Sequence, residues 1–199
     1  MATPHLPFDF VLVKGVEPSM RWKSFTGDLL DLADDLDVAM VITMGSLLAD
    51  TPHSRPIPVT RSGGHSEIAE RLGLDLSAYE GPTGILGVLQ DASFRRGVDA
   101  ISLWSAIPHY ASLSPSPKGT LALVSALEDF LNISLPQGDL PSHSKAWEMS
   151  IDELASEDSD IGDYVRQLEA SKDAADLPEA TGESIAREFE RYLRRRNKE

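Results

Sequence analysis

The chain has 199 residues, 41% of them hydrophobic and 25% charged, with a formal net charge of −14. That is the composition of a globular protein with a sizeable core, enough for one domain and a small appendage. The negative balance argues against nucleic acid or an anionic membrane as a partner, and the lack of cysteine excludes disulfides, thiolate chemistry and cysteine zinc sites.

The first residues, Met1-Ala2-Thr3-Pro4-His5-Leu6-Pro7, carry no basic-then-apolar leader, and no apolar run reaches the length of a membrane span. A cytoplasmic protein is expected. Phe8–Val13 reads as a strand stopped by Gly15 and Pro18. A helix then runs from Ser19 or Met20 to about Leu36, with Trp22, Phe25, Leu29, Leu32 and Leu36 on one face. Val38–Met44 is a nearly continuous apolar run, as in a strand buried on both faces. Thr51–Thr60 is punctuated by proline and reads as irregular or as a short edge strand.

Ser66–Leu72 predicts a short helix ended by Gly73. Tyr79-Glu80-Gly81-Pro82-Thr83-Gly84-Ile85-Leu86-Gly87 leads into a helix from Thr83 to Arg96, closed by Gly97. Ala100–Ala106 predicts another buried strand, stopped by Pro108. A helix capped by Ser116, with Pro117 at its first position, runs to about Leu131. Strands and helices alternating in this way predict a mostly parallel sheet covered by helices. Near Gln137–Pro141 the character changes. Residues Glu128 to Glu179 are strongly acidic, interrupted only by Lys145, Arg166 and Lys172, whereas the last twenty residues lean basic. Three amphipathic helices are expected there, at Ser144–Ala155, Ser159–Ser171 and Gly182–Arg195. The division is therefore a sheet domain over 1–136 and an acidic helical region over 137–199.

In an open parallel sheet, ligands bind beyond the carboxyl ends of the strands. The loops placed there hold Lys14–Pro18, then Gly45 and Ser46 followed by Asp50, Thr51 and His53, and then Ile107–Tyr110. With the glycine turn they supply Glu17, Gly45, Asp50, His53, Gly81, Thr83, Gly84, His109 and Tyr110 as ligand-binding candidates. His109, directly after a buried strand, is the candidate acid or base, and equally a structural histidine at a strand end. Glu17 and Asp50 read either as pocket groups or as caps of the helices that follow, and Thr83 as the cap of its own helix. The glycine turn suits an anion cradle or close packing. No Ser–His–Asp order, His-x-x-x-His pair or Walker-type lysine is present, so neither a metal nor a cofactor is expected. The arginines at 191, 194, 195 and 196 suit a helix C-terminus and an ion-paired face against the acidic helices.

Taken together, these turns resemble the proteasome assembly chaperone 2 family in its actinobacterial form. The residues that carry the likeness are Leu12–Pro18 with Arg21-Trp22, Met44–His53, Tyr79–Ile85 with Val88-Leu89, Ile107–Tyr110, Ser114–Lys118 and Glu188–Leu193. The resemblance implies a three-layer α/β/α domain similar to nucleoside phosphorylases and related hydrolases, with a helical C-terminal region. It also implies self-association, and a non-catalytic role in assembling a larger complex such as proteasome subunits. The alternative it leaves is a small-molecule-binding or hydrolase/phosphorylase-like enzyme using the strand-end loops. Members of this kind carry a further N-terminal portion, with a Phe-x-Gly-Trp-type turn, ahead of the strand placed here at Phe8. Strands missing from the sheet would leave an open apolar edge, suited to self-pairing or aggregation.

Overall fold

A computed structural model of the chain describes residues 6–76, 81 and 83–176. Its contacts divide it into two compact units. One comprises Met1–Gly45 with Thr60–Leu103, the other Ser46–Val59 with Trp104–Glu199. A four-stranded, mostly parallel open sheet flanked by helices gives the mixed α/β class expected from the sequence.

In the first unit, helix α1 spans Trp22–Asp35, and strand β1 begins at Met40 and runs to Ala49. After it come β2 (Val59–Gly63), α2 (Ser66–Leu72), the two-residue β3 (Asp75–Leu76) and α3 (Ile85–Arg96). β4 (Asp99–Pro108) follows, and the strand order is β1-β4-β2-β3. β2 and β3 pair in parallel, Ser62 opposite Asp75 and Gly63 opposite Leu76. β4 is flanked by a strand on each side, which explains its almost unbroken burial. Ala100, Ile101 and Leu103 form the centre of the core. The Thr43 hydroxyl lies 2.9 Å from that of Ser102 and 3.2 Å from the Ile101 carbonyl, so a buried polar group on β1 is satisfied by β4.

The glycine stops fall where the sequence placed them. Gly73 and Gly97 end α2 and α3 in the left-handed conformation, at φ 63° and 79°, which costs glycine nothing for want of a Cβ.

Three readings change. Phe8–Val13 forms no strand among the described residues, and Val11, Leu12 and Val13 are exposed. A β-prone run becomes a strand only when a neighbour completes its ladder. The stripe expected to bury α1 is not its buried face. Thr26, Leu30 and Ala33 point inward, where α1 packs on α3, while Phe25, Leu32 and Leu36 stay at the surface. The strand expected to end near Met44 continues through Gly45 and Ser46 to Ala49.

In the second unit, a short 3₁₀ turn at His109–Ala111 follows β4. α4 spans Pro117–Leu131, α5 Leu140–Glu157 and α6 Ser159–Asp176, packed in sequence α4 on α5 and α5 on α6. Ser116 caps α4 by accepting from the Gly119 N–H at 3.3 Å. Asp158 both closes α5 and starts α6, its carboxylate accepting from the N–H groups of Asp160 and Ile161 at 2.9 and 3.2 Å. The buried Glu128 accepts from the Leu135 N–H at 2.8 Å and from Gln137 Nε2 at 3.0 Å, and so anchors the chain between α4 and α5. The helix expected at Gly182–Arg195, with its arginines, lies outside the described residues.

Candidate functional site

The strand-end residues divide between the two units. Asp50, His53, His109 and Tyr110 come together in the second. Glu17, Thr83 and Gly84 belong to the first, as do Gly45, half-buried on β1, and Gly81, which is exposed.

The cluster in the second unit is built on residues 50–55. Proline fixes the backbone at Pro52, and Thr51, Pro52 and His53 are all buried, His53 at 1% exposure. The 3₁₀ turn after β4 brings Tyr110 to this segment, and α5 brings Asp152. Tyr110 Oη accepts from the His53 backbone N–H at 2.8 Å and sits 2.9 Å from His53 Nδ1, while His53 Nε2 is 3.0 Å from Asp152 Oδ1. A tyrosine hydroxyl has one hydrogen to give. With the ring neutral, that hydrogen goes to Nδ1, and the ring proton sits on Nε2 and donates to Asp152.

Carboxylate, imidazole and hydroxyl in a row have the order of a catalytic relay. The imidazole is sealed from solvent, and burial pushes the Tyr110 hydroxyl up to about 12, away from the phenolate that could attack or abstract a proton.

Further contacts tie the same segment to the helices. Lys118 of α4 donates both to the His53 carbonyl and to Glu148 of α5. Ser54 donates to Glu169 of α6. Arg55 forms a two-pronged pair with Asp173, both N···O distances being 2.8 Å, and a longer contact to Glu169 at 3.4 Å. The Arg55 hydrogen bond holds the Asp173 carboxyl below its usual range. Asp50 caps no helix. It accepts from the Tyr164 hydroxyl at 2.7 Å, which raises that phenol, and lies 3.7 Å from Nε2 of the exposed His109. Tyr164 meets Tyr110 edge-on at 6.0 Å.

The sequence singled out Asp50, His53, His109 and Tyr110 but missed Asp152, Tyr164, Glu169 and Asp173. The only signal for these was acidic and aromatic residues on amphipathic helices, and such residues are common on any solvated face.

In the first unit one bond reaches the end of the glycine turn. Glu17 Oε1 accepts from the Ile85 N–H at 2.9 Å, which puts a carboxylate of the chain itself at the N-terminus of α3. Gly84 is the N-cap, and a Cβ there would stand 3.5 Å from that carboxylate oxygen. Glu17 therefore caps α3 across the fold rather than the helix that follows it. The N-cap position thus falls to Gly84 and not to Thr83. Tyr79, Glu80 and Pro82 lie outside the described residues. An open groove of about 550 Å³ runs between α1 and α3 over Thr26, Leu30, Val88 and Ala92, with Lys23, Arg95 and Arg96 at its rim. It contains none of the predicted residues. Among the described residues there is no group of three or more histidine or carboxylate side chains placed to hold a metal, and no helix long and apolar enough to cross a membrane.

The sequence model of the PAC2 family matches residues 3–155. Among solved structures, the chain is 48% identical to a PAC2 family protein from Streptomyces avermitilis, with a TM-score of 0.70 over 76% of this chain and 63% of that one. It is 46% identical to a proteasome-assembly chaperone homologue from Mycobacterium tuberculosis, with a TM-score of 0.67 over 76% of this chain and 64% of that one. An archaeal homologue of proteasome-assembly chaperone from Pyrococcus furiosus, 18% identical with a TM-score of 0.53, covers 70% of this chain and 62% of its own and shares the fold. The chain thus spans just under two thirds of the length of these relatives. No curated protein matches it.

Proposed function

The chain belongs to the PAC2 family, and from that premise we infer that it is a non-catalytic, assembly-chaperone-like binding protein of the cytoplasm that associates with itself and with proteasome-type subunits. The observation that carries this reading is the 46% identity to a proteasome-assembly chaperone homologue over three quarters of the chain. The cluster around His53 supports it from the side of chemistry. The groups that a reaction would recruit are spent on one another, joining a loop to three helices, and such a network stiffens a surface. The exposed apolar side chains, among them Val16, Met20, Leu32 and Leu36, are the kind of surface that a protein partner covers.

The test is native co-purification. The tagged chain, co-expressed with proteasome α subunits, is expected to recover unassembled subunits and to be depleted from finished particles. A lone monomer that retains no subunit at micromolar concentration overturns the reading.

A further inference from the structure

We propose that the groove between α1 and α3 is a docking surface for an acidic amphipathic helix of another protein. This names a surface for the partner binding inferred above and rests on that reading.

The groove lies within the first unit. Its floor is Thr26, Gly27, Leu30, Val88 and Ala92, and its charged lining among the described residues is Lys23, Arg95 and Arg96. A chain of net charge −14 thus turns three cations towards one groove. Lys23 is in no ion pair among the described residues. Arg95 is held by Asp91, and Arg96 by Asp31 and Asp34, carboxylates that stand outside the lining. A guanidinium has five N–H donors, so these pairs fix the arginines and leave donors over. Covering the groove with apolar chain would strand its cations away from water, at high cost. A lining of this kind meets water or an anion, and an anionic partner is drawn to it.

The ends of the groove set the length of what it takes. Arg96 meets Asp31 and Asp34 near the end of α1, so the end of α3 lies beside the end of α1 and Lys23 stands at the opposite end. Lys23 to Leu30 and Val88 to Arg95 are two helical turns each, about 10 Å. Carboxylates two turns apart on one face of a helix have that spacing, with apolar side chains of the same face between them. An open groove would leave a small molecule mostly wet, whereas a helix laid along it buries one stripe and keeps the rest in water.

Glycine weakens a helix interior, and Gly27 stands in the middle of α1. The helical Gly119 has a packing reason, since a Cβ there would strike Ile107. At Gly27 a Cβ meets nothing within 4 Å, so no neighbour among the described residues requires the bare backbone. A partner helix that comes close to α1 over the groove does require it.

The probe is a fluorescent alanine-based helix of about 18 residues, with two leucines on one face between two glutamates two turns apart. Anisotropy titration with the full chain is expected to show saturable binding that weakens as salt rises. Gly27→Leu fills the floor of the groove while improving the helix. It should weaken binding about tenfold at a melting temperature no lower than that of wild type. Lys23→Glu should weaken it about threefold. No saturable binding overturns the proposal, as does equal binding by a proline-broken peptide of the same charge, which is attraction by charge alone. Binding that Gly27→Leu leaves intact overturns it too. Co-expression with proteasome α subunits tests the underlying reading separately. No subunit kept by wild type overturns that reading and the proposal with it, whereas subunits kept equally by wild type and Gly27→Leu overturn the groove alone. Self-association that Gly27→Leu abolishes, without peptide binding, gives the groove to a second copy and overturns the acidic partner.

Discussion

The two units differ in how their irregular segments are held. In the second, residues 50–55 reach α4, α5 and α6 through hydrogen bonds of His53, Ser54 and Arg55. In the first, apolar side chains stand in solvent from Val11 to Met20 and along α1. One unit is fastened by hydrogen bonds between its own elements. The other keeps hydrophobic area that burial would stabilise at roughly 25 cal/mol per Å². The assembly role proposed above would use both: a stiff part to hold geometry and a sticky part to be covered.

The largest effect should come from breaking the fastening. His53→Ala empties a fully buried position and strips partners from the Tyr110 hydroxyl and from Asp152. The expected cost is about 3 kcal/mol, a fall in melting temperature on the order of 10 °C for a chain of this size. Hydrogen exchange should quicken in α4, α5 and α6 and not in α2 or α3. His109→Ala is the control. Its ring is half exposed and its one close carboxylate, Asp50, is 3.7 Å away, so it should stay within about 0.5 kcal/mol of wild type. Equal losses from the two substitutions would mean that the network does not fasten the unit.

A smaller effect separates the units from the other side. Glu17→Ala removes the carboxylate at the N-terminus of α3 and should cost about 1 kcal/mol. Faster exchange should be confined to the first turn of α3, while the region that His53→Ala loosens stays protected. Glu17→Gln keeps an acceptor oxygen and should recover part of the loss.

These two sites also show what was legible from sequence. Punctuation was read well. Gly73, Gly97, Ser116 and Pro117 ended or began their helices as expected, because each acts through its own backbone or its nearest neighbours. Four of the strand-end residues come together, but in bonds that the sequence did not indicate. Glu17 sits one residue before a proline and five before α1, which suggested a cap for that helix. It caps one 68 positions away instead. His53 was placed in a loop at a strand end, whereas it is buried and bonded to Tyr110 and Asp152, 57 and 99 positions distant. Such pairings are set by tertiary packing, and spacing along the chain does not encode them. The strand reading of Phe8–Val13 failed for a related reason. Local β-preference describes a side chain's fit to a sheet, and the sheet must supply a neighbour.

The smallest expected effect lies at the outer rim of the fastened unit and depends on pH. Arg55 donates twice to Asp173, and this hydrogen bond lowers the Asp173 carboxyl and raises the Arg55 guanidinium. A carboxyl lowered by folding binds fewer protons in the native state than in the unfolded one. Its contribution is therefore fully present above the unfolded value near 3.8, and is lost as pH falls through the lowered folded value. Both side chains are partly exposed, at 33% and 54%, so solvent screening keeps the effect small. The urea midpoint of Arg55→Ala should lie slightly below that of wild type at pH 7, and the gap should close as the pH is taken well below the unfolded value near 3.8. A gap that persists in acid would mean that Arg55 acts through the packing of its alkyl stem on α6. The outer rim would then be fastened by the same hydrophobic contact that the first unit leaves open.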